Sequence, residues 1–451
     1  MSLLVLTASD VDVITPHFTP TELMSLMARV FHLISSESQS TQSPTTTTYT
    51  PHRTSIPMPQ HTALFMPARI AHPSLPGTTI KVVCVPRTPG DTRGLPASTL
   101  VMDEATGAVQ AVVNARKLTA LRNAAGSLLS TTLAGIHSPT SIVAFGAGQQ
   151  ILSHLSLHLR FFPSSLKSCT IINRTLNSRI DALRTALTHQ FPHVLFQFLA
   201  SSTSTTEETH GEKNEKKKNQ NNPIRSALRS TSLIICATSS TTPLFPSHWV
   251  RTGTHVILVG SYTPAMREVD CALVRRAIGA KPSGSSPQQS KSSSPQQSKS
   301  CSTNEPNQPN QPKPTPGPRP RPLLIVDSRT ACAIEAGELI DAGVSGDEVV
   351  EIGELVRLRL KLRDGVTGEF DFDFDFDFDF GVGEVGEVGG NGGSEVGGSE
   401  VGGSEDGSED GEGPITIFKS VGVGLQDVAI ACAVVRKARE MGVGVVVPGY
   451  D

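Results

Sequence analysis

The sequence predicts an α/β protein: a doubly wound parallel sheet joined to a smaller, discontinuous α+β unit. From Ser141 onward, six short apolar runs recur with helix-like segments between several of them. The runs are Ile142 to Phe145, Cys169 to Ile172, Leu195 to Leu199, Leu233 to Ala237, Val256 to Val259 and Leu323 to Val326. Continuous rather than alternating apolar runs mark strands buried on both faces, as in parallel sheets covered by helices. The N-terminal part reads differently, as a set of strands joined by short turns, and supplies the second unit.

Taken in order, Leu3 to Leu6 reads as a strand. A helix follows, with Thr19 as N-cap, Pro20 in the first turn and Glu22 three residues after the cap. Leu23, Leu26, Met27, Val30, Phe31 and Ile34 share one face at helical spacing. Residues 36–61 are rich in Ser, Thr and Pro and read as a loop or disordered insertion. Ala63 to Met66, Ile80 to Val85, Ser98 to Asp103 and Ala108 to Val113 form a small antiparallel unit, its last turn at Glu104 to Gly107. A long helix runs from about Leu118 to Ala134, closed by Gly135, with a close-packing face at Ala124 to Ser127.

Three further tracts are too biased in composition to build a core: residues 201–222, 281–322 and 364–413. The second contains a tandem Ser-Pro-Gln-Gln-Ser-Lys repeat. The third contains a Phe-Asp alternation, Phe370 to Phe380, read as an expanded loop rather than a sheet edge. Beyond them, Ile415 to Lys419 reads as a strand and Gln426 to Met441 as a helix ended by Gly442. Both are expected to fold back on the N-terminal unit. The boundaries are then 1–135 with 414–451 for the discontinuous domain and 136–345 for the doubly wound one.

The chemistry begins at Gly146-Ala147-Gly148. These residues follow a buried strand directly and open a helical segment at Gln149. A glycine turn there lets backbone N–H groups and the helix N-terminus approach a pyrophosphate, and the later strands complete a Rossmann-like dinucleotide domain. Ile151 stands where a third glycine would be. The second strand ends Asn173-Arg174-Thr175, with no carboxylate to repel a 2′-phosphate and an arginine to pair with one. NADP is therefore favoured over NAD. Thr238 and Ser261 follow the fourth and fifth strands, at the carboxyl edge where ligands collect.

Whole-chain numbers exclude several classes. A net charge of −3 gives no reason to expect a nucleic-acid partner, and the run Lys216 to Lys218 reads as a solvated loop. The seven cysteines are scattered without C-x-x-C spacing, which argues against a disulfide framework or zinc site. His154 and His158 share a helix face but have no third ligand nearby in sequence, so no metal is expected. No segment approaches the ~20 apolar residues of a membrane span, and no secretory signal is visible. The expectation is a cytoplasmic protein with no membrane partner.

These motifs resemble the ornithine cyclodeaminase/mu-crystallin family. The matching residues are Leu64 to Arg69, Ile80 to Val83, Gly94 to Pro96, Leu118 to Ala125, Phe145 to Gln149, Phe418 to Gly422 and Gln426 to Ala429, in the family's order. The resemblance implies a Rossmann domain joined to a discontinuous dimerisation and substrate domain. It also implies a homodimer, and NAD(P)-dependent chemistry on small amino or imino acids through a C=N intermediate. It makes Arg69, Lys81 and Arg122 the cations that hold the substrate carboxylate, with Lys81 and Arg122 close to the reaction itself. The family's cyclodeaminases carry an Asp after the glycine that ends the fifth strand. Tyr262 stands there, a poor base but a competent donor. Reduction of a cyclic ketimine or oxidation of another amino acid thus fits better than strict cyclodeamination. A non-catalytic, crystallin-like NADP-binding protein is the alternative, and a degenerate paralogue a third. Asp427, near a helix start, is open between capping, packing and catalysis.

Overall fold

A computed structural model describes residues 2–39, 47–87, 95–202, 222–279, 321–364 and 413–450. The N-terminal part comprises β1 (Leu3–Leu6), α1 (Ala8–Ile14), α2 (Pro20–Gln39), β2 (Thr48–Tyr49), β3 (Thr54–Pro57), β4 (His61–Ile70), β5 (Gly77–Pro86), β6 (Ala97–Met102), β7 (Val109–Asn114) and α3 (Leu118–Leu133). The Thr19 cap forms as expected: its hydroxyl accepts from Glu22 N at 3.1 Å, and the Glu22 carboxylate accepts from Thr19 N at 2.6 Å. β4 to β7 form an antiparallel meander, β1 adds to β7 in parallel, and β16 (Val445–Val447) closes that edge.

The second sheet holds β8 (Ser141–Phe145), β9 (Ser168–Asn173), β10 (Leu195–Ala200), β11 (Leu233–Cys236), β12 (His255–Leu258), β13 (Leu323–Val326), β14 (Val350–Glu351) and β15 (Thr416–Lys419). All its pairings are parallel, in the order β10-β9-β8-β11-β12-β15-β13-β14. The order reverses beside β8, which puts the Gly146 turn at the switch point where open sheets bind ligands. The helices are α4 (Gln149–Phe161), α5 (Ser178–Gln190), α6 (Pro223–Ser230), α7 (Cys271–Ile278), α8 (Arg329–Glu335), α9 (Gly337–Ala342), α10 (Ile352–Asp364) and α11 (Gly424–Met441).

Two expectations are corrected. β15 was expected beside the N-terminal sheet, yet it pairs with β12 and β13 in the parallel one. In that place Ile415, Ile417 and Phe418 are all buried, as are the apolar residues of the other parallel strands. α11 and β16 do cross back, α11 to pack on β4 and β5 and β16 to pair with β1. The region 36–61 is the second correction. α2 runs on to Gln39, and β2 and β3 both pair with β4, because Thr-rich extended chain suits a sheet edge. Most of the other three tracts, including Phe370 to Phe380, lies outside the described residues, as does Gly94.

α3 joins the two sheets through buried histidines. His154 Nδ1 lies 2.7 Å from the Gln150 carbonyl and its Nε2 lies 2.9 Å from the Ser127 hydroxyl. His158 sits likewise between the His154 carbonyl and Thr131, and His255 between Thr416 and Ser130. Both ring nitrogens of each are engaged within the fold. Burial pushes them down from 6.5, to about 3 for His154, about 4 for His158 and about 3 for His255.

These depressed values carry a pH signature. The neutral rings give stability fully present above pH 6.5, where the unfolded histidines are also neutral. That stability is lost as pH falls from 6.5 toward 3–4, because the unfolded chain binds protons first. The urea midpoint should fall from pH 6.5 to 5, by up to about 1.4 kcal/mol per pH unit for each histidine. H158Q should flatten the profile. A profile that H158Q leaves as steep as before would disprove the assignment.

Candidate active site

Strand register decides which cations meet. Lys81 on β5 lies opposite Met66, and Arg69 on β4 lies opposite Thr78. Directly opposed residues share a face and neighbours alternate, so Lys81 and Arg69 point to opposite sides of the sheet. Lys81 faces α11, where its ammonium meets Asp427 Oδ2 at 2.5 Å, with side chains only 3% and 4% exposed. Arg122, on the inner face of α3, reaches the same carboxylate at 3.4 Å and donates to the Gln426 side chain. Arg69 instead pairs with Glu104 at 2.8 Å on the outer face and stacks near Tyr49. The expected trio is therefore a pair, with Arg69 outside it.

A third cation comes from Arg53, in the segment read as an insertion. Its guanidinium meets Glu335 at 2.6 Å and donates to the Tyr262 backbone carbonyl at 3.3 Å. Arg53 and Arg122 both act on Lys81 as like charges. Burial pushes the Lys81 ammonium below its ordinary value, against the pull of Asp427. The Tyr262 phenol is pushed up by burial, with Arg53 opposing, so it stays protonated at neutral pH. What Tyr262 contributes to the cation cluster is its carbonyl.

These cations lie over the carboxyl edge of the parallel sheet. Tyr262 follows β12, and Asp327 ends β13. Asp327 accepts from Gly422 N and Ser420 Oγ, each at 2.7 Å. Gly422 adopts φ +82°, and a Cβ there would stand 2.6 Å from the Arg122 guanidinium, so glycine is required beneath that cation. A cavity of about 390 Å³ adjoins Arg53 and Gly422, walled by the β2–β3 segment and by α8.

Along the same edge, the Gly146 turn has φ +119°, and a Cβ on Gly146 would come within 2.8 Å of the Ala237 carbonyl. Gly148 is extended and caps α4, with no atom within 4 Å of its would-be Cβ. A tight turn, an open approach and a helix N-terminus together fit a pyrophosphate. Ala147 and Gln149 flank the opening, half-buried. Asn173 donates to the Thr175 carbonyl at 2.8 Å, while Arg174 and Thr175 are exposed beyond β9.

Two of the expected cofactor residues turn inward. Thr238 gives its N–H and hydroxyl to Glu268, at 2.6 and 3.0 Å. The same carboxylate accepts from Gly260 N at 2.8 Å, tying the ends of β11 and β12 together. Burial pushes Glu268 up to about 7. The Ser261 hydroxyl is buried against Glu338 at 2.6 Å, and the Lys419 ammonium reaches Ser261 O at 2.5 Å and Glu338 at 3.0 Å. Both residues set the loop's shape, and neither offers its hydroxyl to the crevice.

The sequence reading missed Arg53, Glu335 and the pairing role of Asp427. The signal for Arg53 was an arginine in the Thr/Pro-rich run just before residues of extended character. Replacing Asp427 by Ala leaves Lys81 and Arg122 buried without a counter-charge. It should cost about 3–5 kcal/mol in chemical denaturation. K81M/D427L, which removes the pair, should recover much of that loss. Equal destabilisation by both variants would show that the ion pair is not the cause.

No family model matches the chain. The ketimine reductase mu-crystallin of Mus musculus is 29% identical over 182 residues, covering 40% of this chain and 49% of its own. An uncharacterized cyclodeaminase of Dictyostelium discoideum is 28% identical over 188 residues, covering 39% and 47%. The chain thus spans about half the length of these curated relatives. The Thermococcus litoralis Δ1-pyrroline-2-carboxylate reductase, solved with NADH and L-proline, superposes with a TM-score of 0.63 at 18% identity. That match covers 98% of this chain and 99% of that one, and it shows the shared fold. Among the described residues, no helix is long and apolar enough to cross a membrane. With the motifs from Leu64 to Ala429 set on this two-sheet architecture, the chain is similar to ketimine reductase mu-crystallin and cyclodeaminase proteins in sequence and shares its fold with this reductase.

Proposed function

We propose that the protein is an NAD(P)-dependent oxidoreductase of small amino or imino acids, working at a C–N carbon in the manner of a ketimine reductase. The observation that carries this reading is the meeting of Arg53, Lys81 and Arg122 over the carboxyl edge of the sheet that bears the Gly146 turn. The relatives named as ketimine reductase and cyclodeaminase, and the fold shared with a reductase solved with NADH and L-proline, support it.

Gly146, Gly148 and the α4 N-terminus would hold the dinucleotide, with Asn173, Arg174 and Thr175 at its adenosine end. When bound, the nicotinamide supplies or accepts the hydride that interconverts imine and amine. The chain's own residues do the rest. Arg53 and Arg122 bind the substrate carboxylate, Arg53 through N–H groups other than the Nη2 that meets Glu335 and the Tyr262 carbonyl. Lys81, its ammonium destabilised by burial, gives a proton to the substrate nitrogen more readily than a surface lysine would. The Tyr262 phenol, held neutral, can donate but not abstract. That argues for reduction over a reaction that needs a carboxylate base.

The parallel sheet forms the cofactor half, and the antiparallel sheet with α2, α3 and α11 the substrate half. Phe65, Ile80, Val82, Leu100 and Val112 line the antiparallel face opposite α11, each only half-buried. Such a face suits a second copy, so a homodimer is proposed. The described cysteines are all free, in keeping with a reducing compartment such as the cytoplasm.

An NADPH-oxidation screen against cyclic ketimines, run beside NAD(P)-dependent oxidation of ornithine, alanine and proline, tests the activity. R53M should raise KM for a turned-over substrate about 10- to 100-fold, the loss of a charge-assisted contact. NADPH binding without any turnover would favour the alternative, a cofactor-binding protein without useful catalysis.

The absence of a carboxylate after β9 favours NADP. R174A should weaken NADPH about 10-fold while leaving NADH unchanged. Equal loss for both cofactors would remove the preference.

A further inference from the structure

We infer that the cavity beside Arg53 is a side-chain subsite for a bulky, uncharged, apolar substituent. The substrate class is then a 2-oxo or 2-imino acid anion with a branched or aromatic side chain rather than a proline-sized ring. This inference rests on the carboxylate-binding reading of Arg53 and Arg122 and specifies it.

Position comes first. The cavity touches Arg53 directly and reaches Arg122 through Gly422, whose backbone lies against that guanidinium. A carboxylate held there directs its substituent into about 390 Å³ of space. At about 30 Å³ per water-sized group, that is room for on the order of ten heavy atoms. The ring carbons of proline would leave most of it empty.

Chemistry of the walls comes second. Ile34, Met66, Ala331, Ile334 and Leu425 supply apolar surface from four different segments. Glu335, the one carboxylate in the lining, is already matched by Arg53. The lining contains no lysine, and its remaining polar groups are hydroxyls and His52. A charged terminus would find no free opposite charge, whereas an apolar one would be desolvated favourably. Ile334 is 52% exposed while lining the cavity. A substituent long enough to reach Ile334 would remove that apolar surface from water.

The test is equilibrium binding of 2-oxo acids to the NADPH-loaded full chain, by calorimetry, along the series pyruvate, 2-oxobutyrate, 4-methyl-2-oxopentanoate and phenylpyruvate. Affinity should rise about 4-fold per added methylene, the transfer free energy of one such group. A331L, which narrows the cavity, should collapse the affinity ratio between phenylpyruvate and pyruvate. R53M should weaken all members by a similar factor. Affinity that is flat or falls with chain length overturns the subsite while leaving the carboxylate reading intact. Binding of NADPH with no 2-oxo acid bound at all overturns the carboxylate reading and the subsite with it.

Discussion

Lys81 comes from β5, Arg122 from α3 and Asp427 from α11, so three segments distant in sequence meet at one buried carboxylate. Two buried cations near each other repel, by about 4 kcal/mol at 4 Å and an effective dielectric of 20. Asp427 between them reverses the sign, and the Gln426 side chain takes up another Arg122 donor. This arrangement fixes both side chains in place before any ligand arrives. A substrate carboxylate would then meet donors that need little reorientation, which is where preorganised electrostatics gains over water. The same carboxylate ties α11 to both the antiparallel sheet and α3.

The link between sheets runs through four residues, from Ser420 to Val423, and buried polar groups hold it at both ends. Lys419 closes β15 against Ser261 and Glu338, beneath the loop that carries Tyr262. Asp327 holds Ser420 and Gly422 from the end of β13. The Tyr262 carbonyl then receives Arg53, whose segment pairs with the antiparallel sheet. A continuous set of contacts thus leads from the floor of the parallel sheet to the cations above it. Removing one charge from the Lys419–Glu338 pair would leave the other buried and unpaired, a large cost for so short a linker.

Much of this was legible in the residues. Continuous apolar runs located six parallel strands, and the Thr19-Pro20-Glu22 pattern located α2, because those signals are local. The Gly146 turn was legible because glycines set directly between an apolar run and a helical segment are a local signal, and the close approach to Ala237 is why glycine stands there. Three features resisted. Arg69 was grouped with Lys81 by motif, but strand parity sends them to opposite faces, and parity needs the register. β15 was assigned to the wrong sheet, since insertion between β12 and β13 is a long-range pairing with no local signature. Arg53 was hidden by composition: a Thr- and Pro-rich stretch reads as loop until an edge strand such as β4 is there to receive it.

Tyr262 stands where the resemblance leads one to expect a cyclodeaminase's Asp, and the consequence is electrostatic as much as it concerns proton transfer. Among the described residues, Asp427 meets Lys81 and Arg122, Glu335 meets Arg53, and Asp327 acts on Glu335 as a like charge. The phenol adds no charge, because burial keeps its proton on. Each carboxylate that meets these cations is thus already paired, and none is left over for a second ammonium. A diamino acid, cationic overall, would raise the charge of a partly buried site, and no second carboxylate stands at position 262 to balance it. On the proposed reading, charge balance and proton inventory select the same ligand: an imino or oxo acid anion entering for reduction.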